Sequence, residues 1–355
     1  MKVAINTLNF RRGGGVERYI LDIINGFHQQ NLRPRIYTGK ADCSLPENQW
    51  IDLIKANISF IPRKLRHRFL SSFVRKNRRD DEVIFSLFFL YCDIFVCGGN
   101  HQGYLNALHK TPNCYERFIK IPYEYKVLKE CQTVIAHSRL MKDELIKFYG
   151  VPAQKIQVVY PPADTQKFIP PPPRQRQLLR RKFGFADDEV IYLFPSTGHK
   201  RKGFELLKNF FNASDLPIKL VVAGTPVENS RNVRSLGFRQ DMPELYQAAD
   251  FTIMASFYEP FGLVGLESVL SGTPIIFSEN MACLEVFQNR FGFTFNRHDP
   301  GSLKSAVEKS VDLVKGGQAR IENPKHCLNY DPELSTHIAR LLEIAKTVKK
   351  TTALS

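Results

Sequence analysis

The sequence predicts an α/β protein built from two parallel-sheet domains. Short apolar runs typical of strands alternate with helical patterns in the first half of the chain and again in the second. Between the halves, prolines at 161–162 and 170–173 disfavour helix and inner strand, which indicates a connection between domains. We therefore expect one domain over residues 1–165, a second over 166–330, and a C-terminal helix over 331–355 that returns toward the first domain.

The elements of the first half follow from hydrophobic periodicity. Strands are predicted at 3–6, 35–37, 94–97, 133–136 and 157–160. A helix is predicted at 16–29, where Val16, Ile20 and Ile24 share one face with two further apolar residues. Another is predicted at 139–148, because Ser138 can cap its start and Gly150 follows its end.

The second half repeats this alternation. Strands are predicted at 190–195, 219–223, 233–238, 251–254 and 274–277. Helices are predicted at 204–212, 242–248, 263–271 and 282–288, and a final amphipathic helix near 332–348. Ligands of open parallel sheets bind at the carboxyl ends of the strands, so the loops after strands are where a site is expected.

Composition narrows the class of protein. The 355 residues are 43% hydrophobic and 24% charged, which excludes a disordered chain and a disulfide miniprotein. No apolar run approaches the ~18 residues of a membrane span, and the N-terminus lacks a signal-peptide core, so a cytoplasmic location is expected. The seven cysteines form no CxxC pair, so neither a zinc site nor redox chemistry is indicated. The formal charge of +15 favours binding to an anionic partner; the alternative is that the charge serves only to keep the protein soluble.

Two loops of the first half are candidates for ligand contact. The glycine-rich segment from Arg11 to Glu17 contains Gly14 and Gly15, whose small size would let backbone approach a ligand at a helix N-terminus. A plain flexible turn is the alternative. His101 follows a predicted strand and two glycines, where it could hold a sugar hydroxyl or transfer a proton, or be a structural loop histidine.

A basic turn opens the second half. The residues from Ser196 to Gly203 read Ser-Thr-Gly-His-Lys-Arg-Lys-Gly and follow the first strand of that domain. Cationic side chains beside a helix N-terminus suit a diphosphate, whereas a solvated basic turn is the alternative. The GxxxxGK[ST] pattern of a Walker A loop is absent.

The most specific motif runs from Glu259 to Glu267 and reads Glu-Pro-Phe-Gly-Leu-Val-Gly-Leu-Glu. Pro260 and Gly262 shape a turn, and a helix begins at Gly262 or Leu263. Backbone amides near the helix start would face an anion, while the two carboxylates accept hydrogen bonds from hydroxyls. This combination predicts a ligand that carries both phosphates and hydroxyls, namely a nucleotide sugar.

These motifs resemble the retaining glycosyltransferases of family 4, which have the two-domain GT-B fold. The resemblance rests on the EPFG motif with its later glutamate, the basic Arg201-Lys202-Gly203 turn, the glycine loop and the segment from Val134 to Leu145. The segment from Cys114, the Tyr160-Pro-Pro turn and the short basic loop are similar to the lipopolysaccharide core glucosyltransferase I group. The resemblance implies two Rossmann-like domains with a cleft between them.

The resemblance also implies residue roles. Arg201 and Lys202 would neutralise the donor diphosphate, Glu259 would hold donor-sugar hydroxyls, and His101 falls where some members place a catalytic histidine. The remaining residues implied in donor binding are Glu267 on the ribose, Phe238 beside the base, and the backbones of Gly14, Gly15, Thr197, Gly198, Phe261, Gly262 and Leu263.

Two departures from the family pattern are visible. Many members carry an arginine several positions before the lysine, and here His199 or Lys200 would have to replace it. Tyr19 occupies a helix position that is acidic in the core glucosyltransferases.

The expected reaction is a retaining, metal-independent transfer of a sugar from a nucleotide sugar, with UDP as the default nucleotide and no cofactor. The expected acceptor is a glycan or lipid-linked molecule.

The basic surplus has a location in the first half. Residues 62–79 hold eight Lys and Arg interleaved with apolar residues, and residues 110–129 add further aromatic and basic side chains. As a helix, the first segment would suit an anionic membrane surface, and a solvated face or an acceptor groove is the alternative. A GT-B nucleotide-sugar epimerase and a basic nucleic-acid-binding protein are the competing functions, although no nucleic-acid recognition motif is present.

Overall fold

The computed structural model describes residues 1–289 and 291–354. Its strands, in chain order, are β1 Lys2–Phe10, β2 Arg35–Ala41, β3 Asp52–Lys55, β4 Glu82–Ser86, β5 Ile94–Cys97, β6 Thr133–Ala136, β7 Ile156–Val158, β8 Val190–Ser196, β9 Ile218–Gly224, β10 Val233–Gly237, β11 Phe251–Met254, β12 Ile275–Ser278 and β13 Gly292–Phe295.

The α-helices are α1 Gly15–Gln29, α2 Arg66–Asn77, α3 His101–Ala107, α4 Ile121–Glu130, α5 Arg139–Tyr149, α6 Pro173–Phe183, α7 His199–Lys202, α8 Phe204–Ala213, α9 Met242–Ala248, α10 Leu263–Leu270, α11 Pro300–Lys315 and α12 Leu334–Leu354. A π-helical segment, Glu116–Lys120, precedes α4. None of these helices is long and apolar enough to cross a bilayer.

The chain forms two compact units. The first contains residues 1–162 and 333–355, and the second contains residues 163–332. The first unit has a seven-stranded sheet in the order β3-β2-β1-β4-β5-β6-β7, and the second has a six-stranded sheet in the order β10-β9-β8-β11-β12-β13. The recorded strand pairs within both sheets are parallel, which gives two Rossmann-like α/β units.

The core of the first unit explains why the C-terminal helix belongs to it. Ile20, Ile23 and Phe27 of α1 are fully or almost fully buried, as the 3.6-residue periodicity predicts. Ile338 and Leu341 of α12 are buried in the same cluster. A Cβ on Gly26 would collide with Ile338, so the glycine lets the two helices approach closely.

The central strands of the second unit are buried on both faces. Every residue of β8 and every residue of β11 is buried, as expected for inner strands covered by helices on both sides. Helices of this unit therefore use apolar faces against the sheet, for example Leu207 and Phe211 of α8. This arrangement fixes the carboxyl ends of β8 and β11 side by side, because the two strands are neighbours.

Three sequence predictions need correction here. The proline stretch was expected to exclude helix, but α6 begins at Pro173, because proline at the first helical position loses no hydrogen bond. The predicted helix at 282–288 is a 3₁₀ turn, Ala282–Val286. The pattern also missed β3, β4, β13, α3, α4, α6, α7 and α11.

Candidate functional site

The basic turn lies directly after β8. Thr197 and Gly198 connect β8 to the short helix α7, and both residues are exposed. Gly203 ends this turn with φ +78°, a conformation that favours glycine, and a Cβ there would clash with the backbone carbonyl of Ala255. The turn is therefore packed against the chain that leaves β11.

Arg201 joins this turn to the EPFG motif. Its Nη1 donates hydrogen bonds to the carbonyl of Tyr258 and to Oε2 of Glu259, each at 2.7 Å. The backbone carbonyl of Arg201 accepts a hydrogen bond from the amide of Phe257 at 2.9 Å. The Glu259 carboxylate is largely buried, and the Arg201 side chain is about a third exposed. Side chain and backbone together thus hold the two motifs side by side.

Lys202 is held by the end of β8. Its Nζ donates to the carbonyl of Pro195 at 2.9 Å. Burial lowers the pKa of Lys202, and the carboxylates of Glu259 and Glu267 partly oppose that effect. The ammonium group is therefore desolvated within the electrostatic influence of both carboxylates, and an anionic ligand would stabilise its charge.

The EPFG turn depends on one glycine. Gly262 has φ +99°, and a Cβ there would lie 3.0 Å from Cγ of Glu259. Phe261 is buried, and its carbonyl accepts a hydrogen bond from the amide of Cys283 at 2.8 Å. Helix α10 then begins at Leu263, which leaves the first amides of that helix without intrahelical partners.

Glu267 lies inside α10 and is buried. Its Oε2 accepts a hydrogen bond from the hydroxyl of Tyr246, on α9, at 3.0 Å. Sequence reasoning identified Glu267 but missed Tyr246, because the pairing joins positions 21 residues apart in different helices. Tyr246 itself is fully buried, so its hydroxyl fixes the glutamate from the core side.

The remaining candidates of this unit differ in exposure. Phe238 follows β10 and has 72% of its surface exposed, so its ring is accessible to a ligand. His199 has both ring nitrogens engaged: Nε2 donates to the carbonyl of Thr225 at 2.9 Å, and Nδ1 pairs with the Ser196 hydroxyl at 2.8 Å. Lys200 is exposed and makes no ion pair within residues 1–289 and 291–354.

The glycine loop lies in the first unit. Gly14 caps α1 and Gly15 is its first residue, and both are exposed. A Cβ on Gly15 would meet no atom within 4 Å, whereas one on Gly13 would lie 3.0 Å from the carboxyl carbon of Glu17. Glu17 thus folds over the start of the loop and leaves the space above Gly15 open.

His101 also lies in the first unit, at the start of α3. Asn100 caps this helix by accepting a hydrogen bond from the Gly103 amide at 2.6 Å. The Lys120 ammonium donates to Nδ1 of His101 at 2.9 Å, so the ring proton is on Nε2, which lies 3.2 Å from Oε1 of Glu116. Burial and then Lys120 lower the pKa of His101, which keeps the ring neutral.

A buried cluster of the first unit was not predicted. The hydroxyl of Tyr19 lies 2.6 Å from Nε2 of His337, on α12, and its ring packs edge-on against His137 at 4.9 Å. Burial lowers the pKa of His337 to about 4 and that of His137 to about 3. Both histidines are therefore neutral parts of the core. The structural reason for a tyrosine at position 19 is this contact with α12.

The structure brings Arg201, Lys202, Glu259 and Glu267 together within the second unit. Gly14, Gly15 and His101 are in the first unit.

The comparisons with known proteins match this chain to glycosyltransferases or to a related transglycosylase. Residues 13–167 match the family described as Glycosyltransferase Family 4, and residues 175–325 match Glycosyl transferases group 1. The chain is 38% identical over 352 residues to a probable transglycosylase of Burkholderia thailandensis, covering 97% of each chain.

Solved structures share the fold. WaaG, a glycosyltransferase involved in lipopolysaccharide biosynthesis, superposes with a TM-score of 0.76 at 16% identity, covering 97% of this chain and 99% of that one. HepE of Anabaena, in complex with UDP and glucose, superposes with a TM-score of 0.74 at 16% identity, covering 98% of this chain and 100% of that one.

Proposed function

The chain belongs to glycosyltransferase family 4 and has the GT-B fold, and we propose that it transfers a sugar from a UDP-linked donor to a glycan or lipid-linked acceptor with retention of anomeric configuration. The observation that carries this proposal is the contact of the basic turn with the EPFG motif. Arg201 and Lys202 lie beside Glu259 and Glu267, so cations for a diphosphate and acceptors for hydroxyls lie together in one unit.

Each of these groups binds the part of the donor that suits its chemistry. Lys202 and Arg201 neutralise the diphosphate, and the amides of the EPFG turn and of the start of α10, from Phe261 to Leu263, add hydrogen bonds to it. Glu259 accepts hydrogen bonds from the sugar hydroxyls. Glu267, held by Tyr246, accepts them from the ribose. The exposed ring of Phe238 and the backbones of Thr197 and Gly198 border the nucleotide.

The chemical difficulty of the reaction is the negative charge that grows on the leaving diphosphate. The bond from the anomeric carbon to the diphosphate oxygen breaks, and a bond from the acceptor oxygen to that carbon forms. The acceptor hydroxyl gives its proton to the leaving diphosphate. The attacking atom is the acceptor oxygen, and Glu259 does not act as a nucleophile. Fixed cations and amides stabilise the charge without reorganisation, which requires no metal ion.

The first unit supplies the acceptor side. Gly14 and Gly15 offer exposed amides at the start of α1 for the donor phosphates or the acceptor. Lys120 holds Nδ1 of His101, and Nε2, which has no hydrogen-bond partner among the described residues, would donate to a substrate hydroxyl. The fold is shared with WaaG, which is involved in lipopolysaccharide biosynthesis, and with HepE, which has been seen in complex with UDP and glucose; we therefore propose a UDP-linked donor and an acceptor such as the lipopolysaccharide core.

Membrane association is a further part of the proposal. Helix α2 buries Leu70 and Val74 in its own unit, so these residues do not face a bilayer. The exposed large apolar and aromatic residues near the basic segments 62–79 and 110–129 are Phe60, Leu65, Phe118 and Tyr125. They would insert between the headgroups of an anionic membrane while neighbouring Lys and Arg contact phosphates. Flotation with anionic liposomes, repeated at rising salt, tests this.

A panel of nucleotide sugars tests the proposed function. The correct donor raises the melting temperature by mass action, and nucleoside diphosphate is released when acceptor is present. NMR of the product reports the anomeric configuration, and activity after chelation reports the metal requirement. An epimerase would instead convert the donor sugar without acceptor, and a nucleic-acid-binding protein would bind oligonucleotides with a steep salt dependence and no nucleotide sugar.

A further inference from the structure

The first unit contains a cavity between the start of the glycine-rich segment and the first part of the basic segment 62–79. Its volume is about 840 Å³, within the range of roughly 300–1,000 Å³ that small-molecule sites occupy. Residues at the carboxyl ends of β1 and β2 form one wall. The register places Asn9 beside Lys40 and Phe10 beside Ala41, so Arg11 and Lys40 reach the same edge of the sheet. This is the edge where open parallel sheets bind ligands.

The lining of the cavity is strongly cationic. It contains Arg11, Lys40, Arg63, Lys64 and Arg66. None of these five side chains makes an ion pair with a carboxylate in the part of the chain that the structure describes. Five cations outnumber the one carboxylate of the lining, Asp42, so they repel one another and an anionic ligand would relieve that repulsion.

Two further groups point to a ligand. Asp42 is the carboxylate of the lining, and it is occupied by its own loop, since it accepts hydrogen bonds from the amide and the hydroxyl of Ser44. His67 also lines the cavity, and its buried Nδ1 has no hydrogen-bond partner among the described residues. A buried nitrogen without a partner is costly, and a ligand hydroxyl or phosphate would satisfy it.

A second cavity in the same unit differs in how its cationic side chains are paired. Its volume is about 470 Å³, and Arg75 and Lys126 line it. Glu130 lies in the same lining and pairs with both of them, at 3.8 Å in the case of Lys126. Two cations of that cavity are therefore ion-paired within the protein, whereas none of the five cations of the larger cavity is ion-paired among the described residues.

We propose that the larger cavity binds a phosphorylated sugar of the acceptor. Arginine and lysine together suit a phosphoryl group, because guanidinium groups bind its oxygens in pairs and ammonium groups add point charge. The ring of Tyr115, with the Lys64 ammonium 4.7 Å from its centroid, offers an apolar face for the sugar. A concave site favours this ligand over a flat bilayer. The inference rests on the proposed function, which requires an acceptor.

Two charge-matched variants test the proposal. Arg63→Ala/Lys64→Ala removes two cations from the cavity, and Lys346→Ala/Lys350→Ala removes two exposed cations of α12 in the same unit. A third variant, Lys202→Ala, alters the proposed donor site. Calorimetry measures the binding of fructose 1,6-bisphosphate, fructose and UDP to each protein, and flotation measures binding to phosphatidylglycerol vesicles.

The cavity variant is expected to bind fructose 1,6-bisphosphate at least about tenfold more weakly than wild type, a loss of about 1.4 kcal/mol. The control pair and Lys202→Ala are expected to stay within about twofold, and fructose is expected not to bind. Equal weakening in the cavity and control pairs, equal binding of fructose, or a loss of vesicle binding alone would overturn the proposal. Failure of wild type to bind UDP would instead contradict the proposed function and leave the sugar-phosphate comparison readable.

Discussion

Arg201 and Glu259 form an ion pair in which Nη1 of the arginine lies 2.7 Å from Oε2 of the glutamate. The two residues are 58 positions apart and follow neighbouring strands, β8 and β11. The pair is partly exposed, so it contributes at most about 1 kcal/mol to stability. Its main effect is to hold a carboxylate and a cation in one place for a ligand.

The first prediction concerns the Glu259 carboxylate, whose replacement is expected to lower activity strongly while changing stability little. Glu259→Gln preserves the shape of the side chain but removes its charge, and it is expected to lower kcat/KM for the donor by roughly 10–100-fold, because a hydrogen bond from a sugar hydroxyl to a charged acceptor is worth about 1.5–3 kcal/mol. The free energy of unfolding is expected to change by about 1 kcal/mol or less. Initial rates and urea unfolding measure both. The control is Glu308→Gln on the exposed face of α11, and an active Glu259→Gln protein would refute the assigned role.

The second prediction concerns the cation that accompanies Lys202. Both ring nitrogens of His199 are engaged within the protein, so we predict that Lys200 rather than His199 takes the place of the arginine found in other members. Lys200→Ala is expected to weaken UDP binding by about three- to tenfold, which is on the order of 1 kcal/mol. His199→Asn is expected to lower stability more than affinity. Calorimetry with UDP distinguishes the two, and the reverse order of effects would contradict the assignment.

Tyr246 is predicted to position Glu267. Tyr246→Phe removes a buried hydrogen bond to a carboxylate, so the free energy of unfolding should fall by about 1.5–3 kcal/mol. Because Glu267 is expected to bind the ribose, KM for the donor should also rise several-fold while kcat is kept. Tyr192→Phe provides a matched control, since it removes a buried hydrogen bond to Ser310 in the same unit. A rise in KM of the same size in both variants would argue against the ribose contact.

The histidine pair makes the first unit sensitive to acid. His337 and His137 have folded pKa values of about 4 and about 3, whereas an unfolded histidine titrates near ~6.5. The unfolded chain therefore binds more protons, so stability is full above ~6.5 and falls as the pH drops toward the folded values, by a few kcal/mol. The chain has one tryptophan, Trp50, which lies in this unit, so its fluorescence in urea reports the effect.

A variant isolates this contribution from that of the carboxylates. His337→Gln removes one of the two groups, so the loss of stability between pH 7 and pH 5 should be smaller than in wild type. An unchanged dependence on pH would show that His337 does not carry it.

The sequence predicted the parts of the fold and site that depend on local pattern. Strands buried on both faces gave continuous apolar runs, and the EPFG turn requires Pro260 and Gly262 at fixed positions. The proximity of the basic turn and the EPFG motif followed from the rule that ligands lie at the carboxyl ends of parallel strands.

The remainder depends on contacts between distant positions. The Tyr246–Glu267 and Tyr19–His337 pairs have no spacing signal, because each joins separate helices. Helix α6 carries many basic residues and buries only Leu179, Arg180 and Phe183, so it has little hydrophobic periodicity to detect. Nε2 of His199 is engaged by the carbonyl of Thr225, which is 26 positions away in the sequence, so no local pattern could show that this nitrogen is unavailable to a ligand.

The most direct test of the account is the affinity of UDP for Lys202→Ala, measured by calorimetry beside Lys309→Ala, an exposed lysine of α11. We expect Lys202→Ala to bind UDP at least about tenfold more weakly, because its desolvated ammonium would lie against the diphosphate, and Lys309→Ala to bind as wild type does. Equal affinity of all three proteins for UDP would contradict a donor site at the basic turn.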